Sequence, residues 1–473
     1  MKVLYIYCDR KSKNDLIVEI IGDRFFGDVL FQKERVEDRY KKNVLSSFSD
    51  VTWVRVIEGF QIEELLPLLK KIDDNTKVIF SFSDYIVCDA EKFNLSIQKA
   101  LYIEENYVGY IDGEPALWMF KNIKSFVKYY ENGKKFECDD FQMQGLCCIN
   151  DYESFVGFVT GNLDTRFFNH ISGDDFLLSK SSTNKKKIYA EYCFYKLLPE
   201  DMQHWFVQPF DYKEYDDRAS YSMERLHMTD LSIKWVHGSI SEEEFNDLLD
   251  LYFCFFSSRH IKKCSIEEYK RCSDSLYVTK VYDRIEQLKK LQEYKKISEF
   301  LSIIDISLDD LVERYLRLKD NYEKRINIKP QLVIGHGDPC FSNALYNKHS
   351  KMLRFIDPKG ATKEDELWTD FYYDFAKLSH SICGGYDFIN NKLDDIKIID
   401  NYSAQLVFPY DFNHFKELFK SKLSSEGIDY NLVRIYESSL FLSMLPLHID
   451  SPLKVIAFII NARNIIEELE RNL

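Results

Sequence analysis

Val333-Ile334-Gly335-His336-Gly337-Asp338-Pro339-Cys340-Phe341-Ser342-Asn343, followed by Phe355-Ile356-Asp357-Pro358, decides the reading of this chain. It runs as an apolar strand, a His-Gly-Asp-x4-Asn loop, and a second apolar strand that ends in Asp. Phosphoryl transfer needs a carboxylate to orient the attacking hydroxyl, and oxygen ligands to hold Mg²⁺ against the nucleotide phosphates. A loop carrying Asp338 and then Asn343 supplies the carboxylate and one metal ligand. A short hairpin returns Asp357 beside them. The bland alternative is a chance Asp and Asn in a turn after a strand.

The same residues resemble the catalytic loop of the aminoglycoside phosphotransferase and choline kinase superfamily, which has a protein-kinase-like fold. There the loop reads His-x-Asp-x4-Asn and a metal-binding Asp follows on a nearby strand. The resemblance covers roughly residues 165 to 473 and is strongest from 333 to 382. It implies Asp338 as the catalytic residue, Asn343 and Asp357 as ligands of Mg²⁺, and ATP as phosphate donor. His336 would be redundant as a base beside Asp338, and the resemblance implies that it braces the loop. Ser342 reads equally as a phosphate contact or a turn cap. The segment Tyr373-Asp374-Phe375-Ala376-Lys377-Leu378-Ser379-His380-Ser381 is similar to the helix beneath the active site in these kinases, with Asp374 bonding to the loop. His380 and Tyr386-Asp387 read either as lining of an acceptor pocket or as ordinary helix surface.

A small β-rich lobe with a fixed cation should precede Asp338. Asp175-Phe176-Leu177-Leu178-Ser179-Lys180 is a strand ending in Lys, and Glu191 lies on the next helix. A Lys held by a buried Glu keeps its flexible ammonium against the nucleotide phosphates. Lys185, Lys186 and Lys187 compete for this role but fall in the first helical turn, on the solvent side. Helix end and Pro coincide at Leu198-Pro199, because proline lacks the N–H that would continue it. The resemblance places Asn169 on the strand over the phosphates, where a surface hairpin is the alternative. It also places adenine against backbone groups from Met223 to Arg225.

Composition narrows the classes. At 473 residues, two or three domains are expected. The net charge of −14 argues against a nucleic-acid partner. Eleven cysteines show no C-x-x-C spacing, and the Cys147-Cys148 pair reads as buried thiols, so a reducing cytoplasm is expected. No apolar run approaches the length of a membrane span, and the first strand is too short for a signal peptide.

The fold class expected is α/β plus α+β: an α/β domain over 1–160, a kinase-like N-lobe over 161–240, and a helical C-lobe over 241–473. Strands from Lys2 to Cys8, Thr52 to Ile57 and Lys77 to Phe82, with a helix from Gln61 to Lys71, predict βαβ units and a largely parallel sheet. This first block is similar to nucleotide-diphospho-sugar transferases and GT-A glycosyltransferases, which makes Asp84 a metal candidate. The nucleotidyltransferase glycine loop is missing, since the first strand runs into Cys8-Asp9-Arg10-Lys11. A degenerate or scaffold role is therefore expected of it. The leading expectation is a kinase for a hydroxyl of a small molecule or sugar, set by analogy in bacterial capsule or surface-polysaccharide precursor synthesis. The alternatives are a bifunctional enzyme with an active N-terminal transferase, and a nucleotide-binding pseudokinase scaffold. Neither the acceptor nor the oligomeric state is written in a motif.

Overall fold

The computed structural model describes residues 2–31, 33–133, 138–160, 169–173, 176–226, 228–400 and 403–472. The chain divides into two compact units, Met1–Gly161 and Asn162–Leu473.

In the first unit, a six-stranded sheet forms because Val3–Asp9 is buried on both faces along its whole length. It pairs in parallel with Val51–Ile57 on one side and Lys77–Phe82 on the other. Helices Val36–Ser47 and Ala90–Gln98 supply one core, and Ile62–Leu69 and Ile123–Glu131 the other. The sheet is mixed rather than largely parallel. Tyr107–Ile111 and Glu114–Phe120 form an antiparallel hairpin, and the second strand adds antiparallel to Lys77–Phe82. The cause is the dipeptide Asp112-Gly113, whose φ values of 51° and 83° make a tight hairpin turn.

The ribbon of Tyr85–Val87 with Leu146–Cys148 corrects the expectation for the cysteines. Strand alternation buries Leu146, exposes Cys147 and leaves Cys148 half-buried.

The second unit begins with a four-stranded antiparallel sheet, in the order Asn169–Gly173, Leu177–Ser182, Ala219–Glu224, Pro209–Glu214. Helix Lys185–Leu197 crosses it, capped at its start by Asn184. The rest is helical around Tyr430–Met444, which is buried on every side from Leu432 onward, and Pro452–Asn472. Two three-stranded sheets and a hairpin of Asp395–Asp400 with Ser403–Val407 interrupt the helices. Ile261–Lys263, Gln331–Ile334 and Trp368–Asp370 make one, and Thr229–Asp230, Ala344–Asn347 and Met352–Phe355 the other. Trp368–Asp370 is a short strand between the turn Glu364–Leu367 and the helix Tyr373–Ile382, and residues 290–293 separate the helices Lys280–Lys289 and Tyr294–Ile303.

No described helix is long and apolar enough to cross a membrane. Among the described residues all eleven cysteines are free thiols.

At Ser241-x-x-Glu244 only half of a capping box forms. The Ser241 hydroxyl accepts from the Glu244 N–H at 3.2 Å, but the Glu244 carboxylate turns inward to Lys234. Both side chains are almost fully buried, and Lys348 is no closer than 3.9 Å. Removing one partner of such a pair strands a buried charge. Lys234→Met should therefore lower unfolding free energy by about 3–5 kcal/mol in urea titration of the full chain. Adding Glu244→Leu should recover most of that loss.

Candidate active site

The strand Gln331–Ile334 delivers the loop Gly335–Asn343 into the cleft edge, and two glycines let it turn there. A Cβ on Gly335 would stand 2.7 Å from Asp374 Oδ2 and from Thr369 Cγ2. Gly337 has φ +82°, and a Cβ would lie 2.6 Å from that of Lys359. Only glycine fits either position.

Asp374 holds the loop by its backbone. Its oxygens accept the His336 N–H at 3.0 Å and the Gly337 N–H at 2.8 Å. Arg259, itself buried, reaches Asp374 at 3.3 Å and lies among Phe256, Phe371 and Phe375. Nothing in the sequence linked Arg259 to the loop, since 77 residues separate it from His336.

His336 is fully buried and stacks on Phe206 with ring centroids 5.7 Å apart. Nδ1 accepts the Asp338 N–H at 3.0 Å, so Nε2 carries the proton and donates to the Ile356 carbonyl at 2.9 Å. Burial lowers its pKa and keeps the ring neutral. Both nitrogens are thus occupied, and the ring ties the loop to the residue before Asp357.

Asn343 donates from Nδ2 to the Asp338 carbonyl at 2.8 Å, which leaves its Oδ1 to face a cation. Its own carbonyl accepts from the Ile356 N–H at 3.0 Å. Asp357 sits at φ 56°, a left-handed conformation uncommon for a residue with a side chain. Such strain is concentrated at functional sites.

Lys180 joins this group from the small sheet. Its ammonium, 1% exposed, lies 2.7 Å from Glu191 Oε2 and also bonds Asp357 Oδ1. Tyr221 donates to the same Glu191 oxygen at 3.2 Å, and Lys187 pairs with the other at 3.2 Å. Lys185 turns away to Glu214. Burial would raise the Asp357 carboxyl, but Lys180 outweighs it and holds the group low.

Lys377 was quoted in the sequence without a role. Its Nζ stands 3.0 Å from Asp338 Oδ1. Burial would raise the Asp338 carboxyl, yet the charge and hydrogen bond of Lys377 hold it well below the usual carboxylate range. The carboxylate remains about one-third exposed, at 35%.

The expected adenine segment, Met223 to Arg225, begins in the strand Ala219–Glu224. Met223 lies in an inner strand, paired with Leu178 and Pro209, and its side chain lines a small cavity with Tyr221, Phe206 and Asp357. The Arg225 N–H already bonds the Phe176 carbonyl at 2.9 Å. The Asn169 side chain lies outside the described residues.

His380 and Asp387 are buried under the loop, at 1% and 0% exposure, rather than on a helix surface. His380 stacks on Tyr386 at 4.1 Å.

Asp84 is not gathered into a metal set. The Arg10 guanidinium faces both of its oxygens, at 3.3 and 3.1 Å, and Asp89 caps the helix Ala90–Gln98. A bound cation would have to displace that arginine. Among the described residues no group of three or more His, Cys, Asp and Glu is placed to hold a metal. Asp357 with the Asn343 amide is instead a two-oxygen set. That suits Mg²⁺, which keeps several waters and takes phosphate oxygens as further ligands.

No family model matches the sequence, and no curated protein matches it. Similar solved structures include spectinomycin phosphotransferase in complex with ADP and spectinomycin. It is 13% identical, covering 66% of this chain and 92% of that one, with a TM-score of 0.40. The GDP complex of aminoglycoside 2'-phosphotransferase-IIIa is 14% identical over 65% and 91%, at 0.38. Plasmodium vivax ethanolamine kinase is 13% identical over 62% and 75%, at 0.34.

Asp387 makes a pH test. Both of its oxygens are buried, with the Ser381 hydroxyl beside them. Burial, eased by Ser381 and reinforced by the Asp338 charge, pushes its carboxyl up to about 7. An unfolded Asp titrates near roughly 3.9. The folded state therefore binds the proton more tightly, and stability falls as pH rises between these values. Asp387→Asn should gain on the order of 1–4 kcal/mol over the parent at pH 8 and nothing near pH 4, by urea unfolding.

Proposed function

We propose that this chain is an ATP- and Mg²⁺-dependent phosphotransferase acting on a hydroxyl of a small molecule or sugar. The observation that carries it is one connected network of Lys180, Glu191, Asp338, Asn343 and Asp357. Its most distant direct pair, Lys180 and Asp357, is 177 residues apart in sequence.

Lys180 meets the nucleotide phosphates, fixed by Glu191. Asp357 and the Asn343 amide oxygen would hold Mg²⁺, which supplies neutralisation of phosphate charge. Lys377 occupies one oxygen of Asp338, so the other is free to accept the acceptor hydroxyl. A carboxylate of such low basicity orients that hydroxyl rather than removing its proton early, as a loose transition state requires. His336 and Asp374 keep the loop in place without touching substrate. Adenine in this reading lies against the segment from Met223 to Arg225. A place in surface-polysaccharide precursor synthesis belongs to it by analogy alone.

Two alternatives separate by experiment. A pseudokinase scaffold has no need of all five residues. A second activity in the first unit would need Asp84 released from Arg10.

Asp338→Asn should cut kcat by roughly 10²- to 10⁴-fold while calorimetry finds MgATP binding nearly unchanged. Turnover near the parent level would remove Asp338 from the mechanism. Asp357→Ala should abolish the Mg²⁺ dependence of nucleotide affinity.

Lys180→Met and Glu191→Gln should be non-additive, the double variant being little worse than Lys180→Met alone. Additive losses would mean the two do not act as a unit.

A further inference from the structure

Two exposed thiols, Cys88 and Cys147, stand on the ribbon of Tyr85–Val87 with Leu146–Cys148. Cys147 is paired with Ile86, and the Cys88 N–H continues the ladder by donating to the Gly145 carbonyl at 3.0 Å. Side chains alternate along a strand, so Cys88 leaves on the side of Ile86 and of its partner Cys147. The two cysteines are therefore diagonal neighbours across the ribbon. Their thiols meet. The Cys147 S–H donates to the Cys88 sulfur, and this bond is the largest influence on either group.

That bond divides the pair into two roles. Cys147 keeps its proton and is pushed up, while Cys88 is drawn down to about 7. The backbone N–H groups of Cys88 and Asp89, just before the helix Ala90–Gln98, help Cys88; partial burial and the Asp89 charge oppose them. Asp112 and Cys148 lie near Cys147 and raise it further. Near neutral pH Cys88 is thus partly thiolate, the nucleophilic form. Elsewhere burial pushes up the thiols of Cys138, Cys148, Cys264 and Cys272. An accessible thiolate beside a second thiol is the arrangement that oxidants select.

We propose that Cys88 and Cys147 form a reversible disulfide when the protein meets a hydroperoxide, Cys88 attacking and Cys147 resolving. The Cys88 sulfur bonds to one peroxide oxygen, and the O–O bond breaks. The leaving hydroxide takes up a proton to become water, and Cys88 becomes a sulfenic acid. The Cys147 sulfur then bonds to that of Cys88 and the S–O bond breaks. The hydroxide leaves with the Cys147 proton as a second water. Two electrons have passed from the sulfur pair to the peroxide. A dithiol reverses the cross-link by exchange, so it is transient wherever thiols are kept reduced.

The cross-link closes the chain from residue 88 to 147. That span holds the helices Ala90–Gln98 and Ile123–Glu131 and the turn at Asp112-Gly113. It includes no residue of the phosphotransferase network, so the proposal stands apart from that reading.

The test treats the reduced full chain with stoichiometric hydrogen peroxide and maps unreduced tryptic peptides by mass. The expected product joins Cys88 to Cys147, is two hydrogens lighter than the separate peptides, and disappears with dithiothreitol. Cys147→Ala should halt the reaction at a Cys88 sulfenic acid that dimedone traps. Cys88→Ala should leave Cys147 a free thiol. Iodoacetamide alkylation of Cys88 should have its midpoint at about 7 in the parent. In Cys147→Ala that midpoint should rise toward about 8.5, the value of an unpaired cysteine.

The map of the parent needs no variant, and so decides the matter even where a variant fails to fold. A cross-link from Cys147 to Cys148, or one between two chains, overturns the proposal. So does oxidation of another thiol ahead of Cys88, a Cys88 sulfinic acid beside a free Cys147, or no loss of thiols.

Discussion

Everything at the cleft depends on a carboxylate that does no chemistry. Asp374 accepts two consecutive backbone N–H groups, from His336 and Gly337, and so sets the direction in which the loop leaves its strand. Those donors are buried and would otherwise be orphaned at a cost of about 1–3 kcal/mol each. Asp374 is buried as well, and Arg259 supplies the opposite charge that makes this tolerable. Three aromatic rings pack around Arg259, so its position is set by shape as well as charge. From that anchor the geometry propagates through His336 to the backbone of both Asp338 and Ile356, and hence to Asp357.

Asp357 and Asp338 each have their own lysine. Lys180 attends Asp357 and Lys377 attends Asp338, and in both cases the ammonium outweighs burial and keeps the acid ionised. Asp387 has no such partner, and burial keeps its proton on near neutrality. Two acids a few residues from the same loop are thus driven in opposite directions by their surroundings. The Asp338 charge contributes to this, because ionising Asp387 would place a second negative charge near it.

How far the sequence spoke depends on the range of each interaction. The strand Lys77–Phe82 occurs over the expected residues, since apolar periodicity is a local signal. The three-residue strands Ile261–Lys263 and Trp368–Asp370 are too short to carry a period, and pairing with Gln331–Ile334 alone makes them strands. The hairpin at Asp112-Gly113 was legible in principle, because Asp-Gly between apolar runs is a strong turn signal. At the site, residues within one motif could be read together. Partners such as Arg259 and Lys377 could not, because nothing local distinguishes a lysine that meets a buried acid from one that meets water.

The first unit illustrates the same limit from the other side. Asp84 follows a central strand at the carboxyl end of a parallel pair, the place where open α/β sheets bind ligands. Position alone made it a metal candidate. Yet the next residue after the neighbouring strand is Arg10, whose guanidinium takes both Asp84 oxygens and lies 3.1 Å over the Phe82 ring. Asp9, at the end of that neighbouring strand, is likewise buried and answered by Arg55. Burial raises the pKa of both acids even so, because it outweighs the arginine charges that lower it. The two units therefore treat strand-end carboxylates oppositely. In the first they are closed by arginines, Arg10 reaching both Asp84 oxygens through one nitrogen and Arg55 meeting one oxygen of Asp9, while in the second Asp338 and Asp357 are each met by a lysine, a point charge that a phosphate or hydroxyl can share.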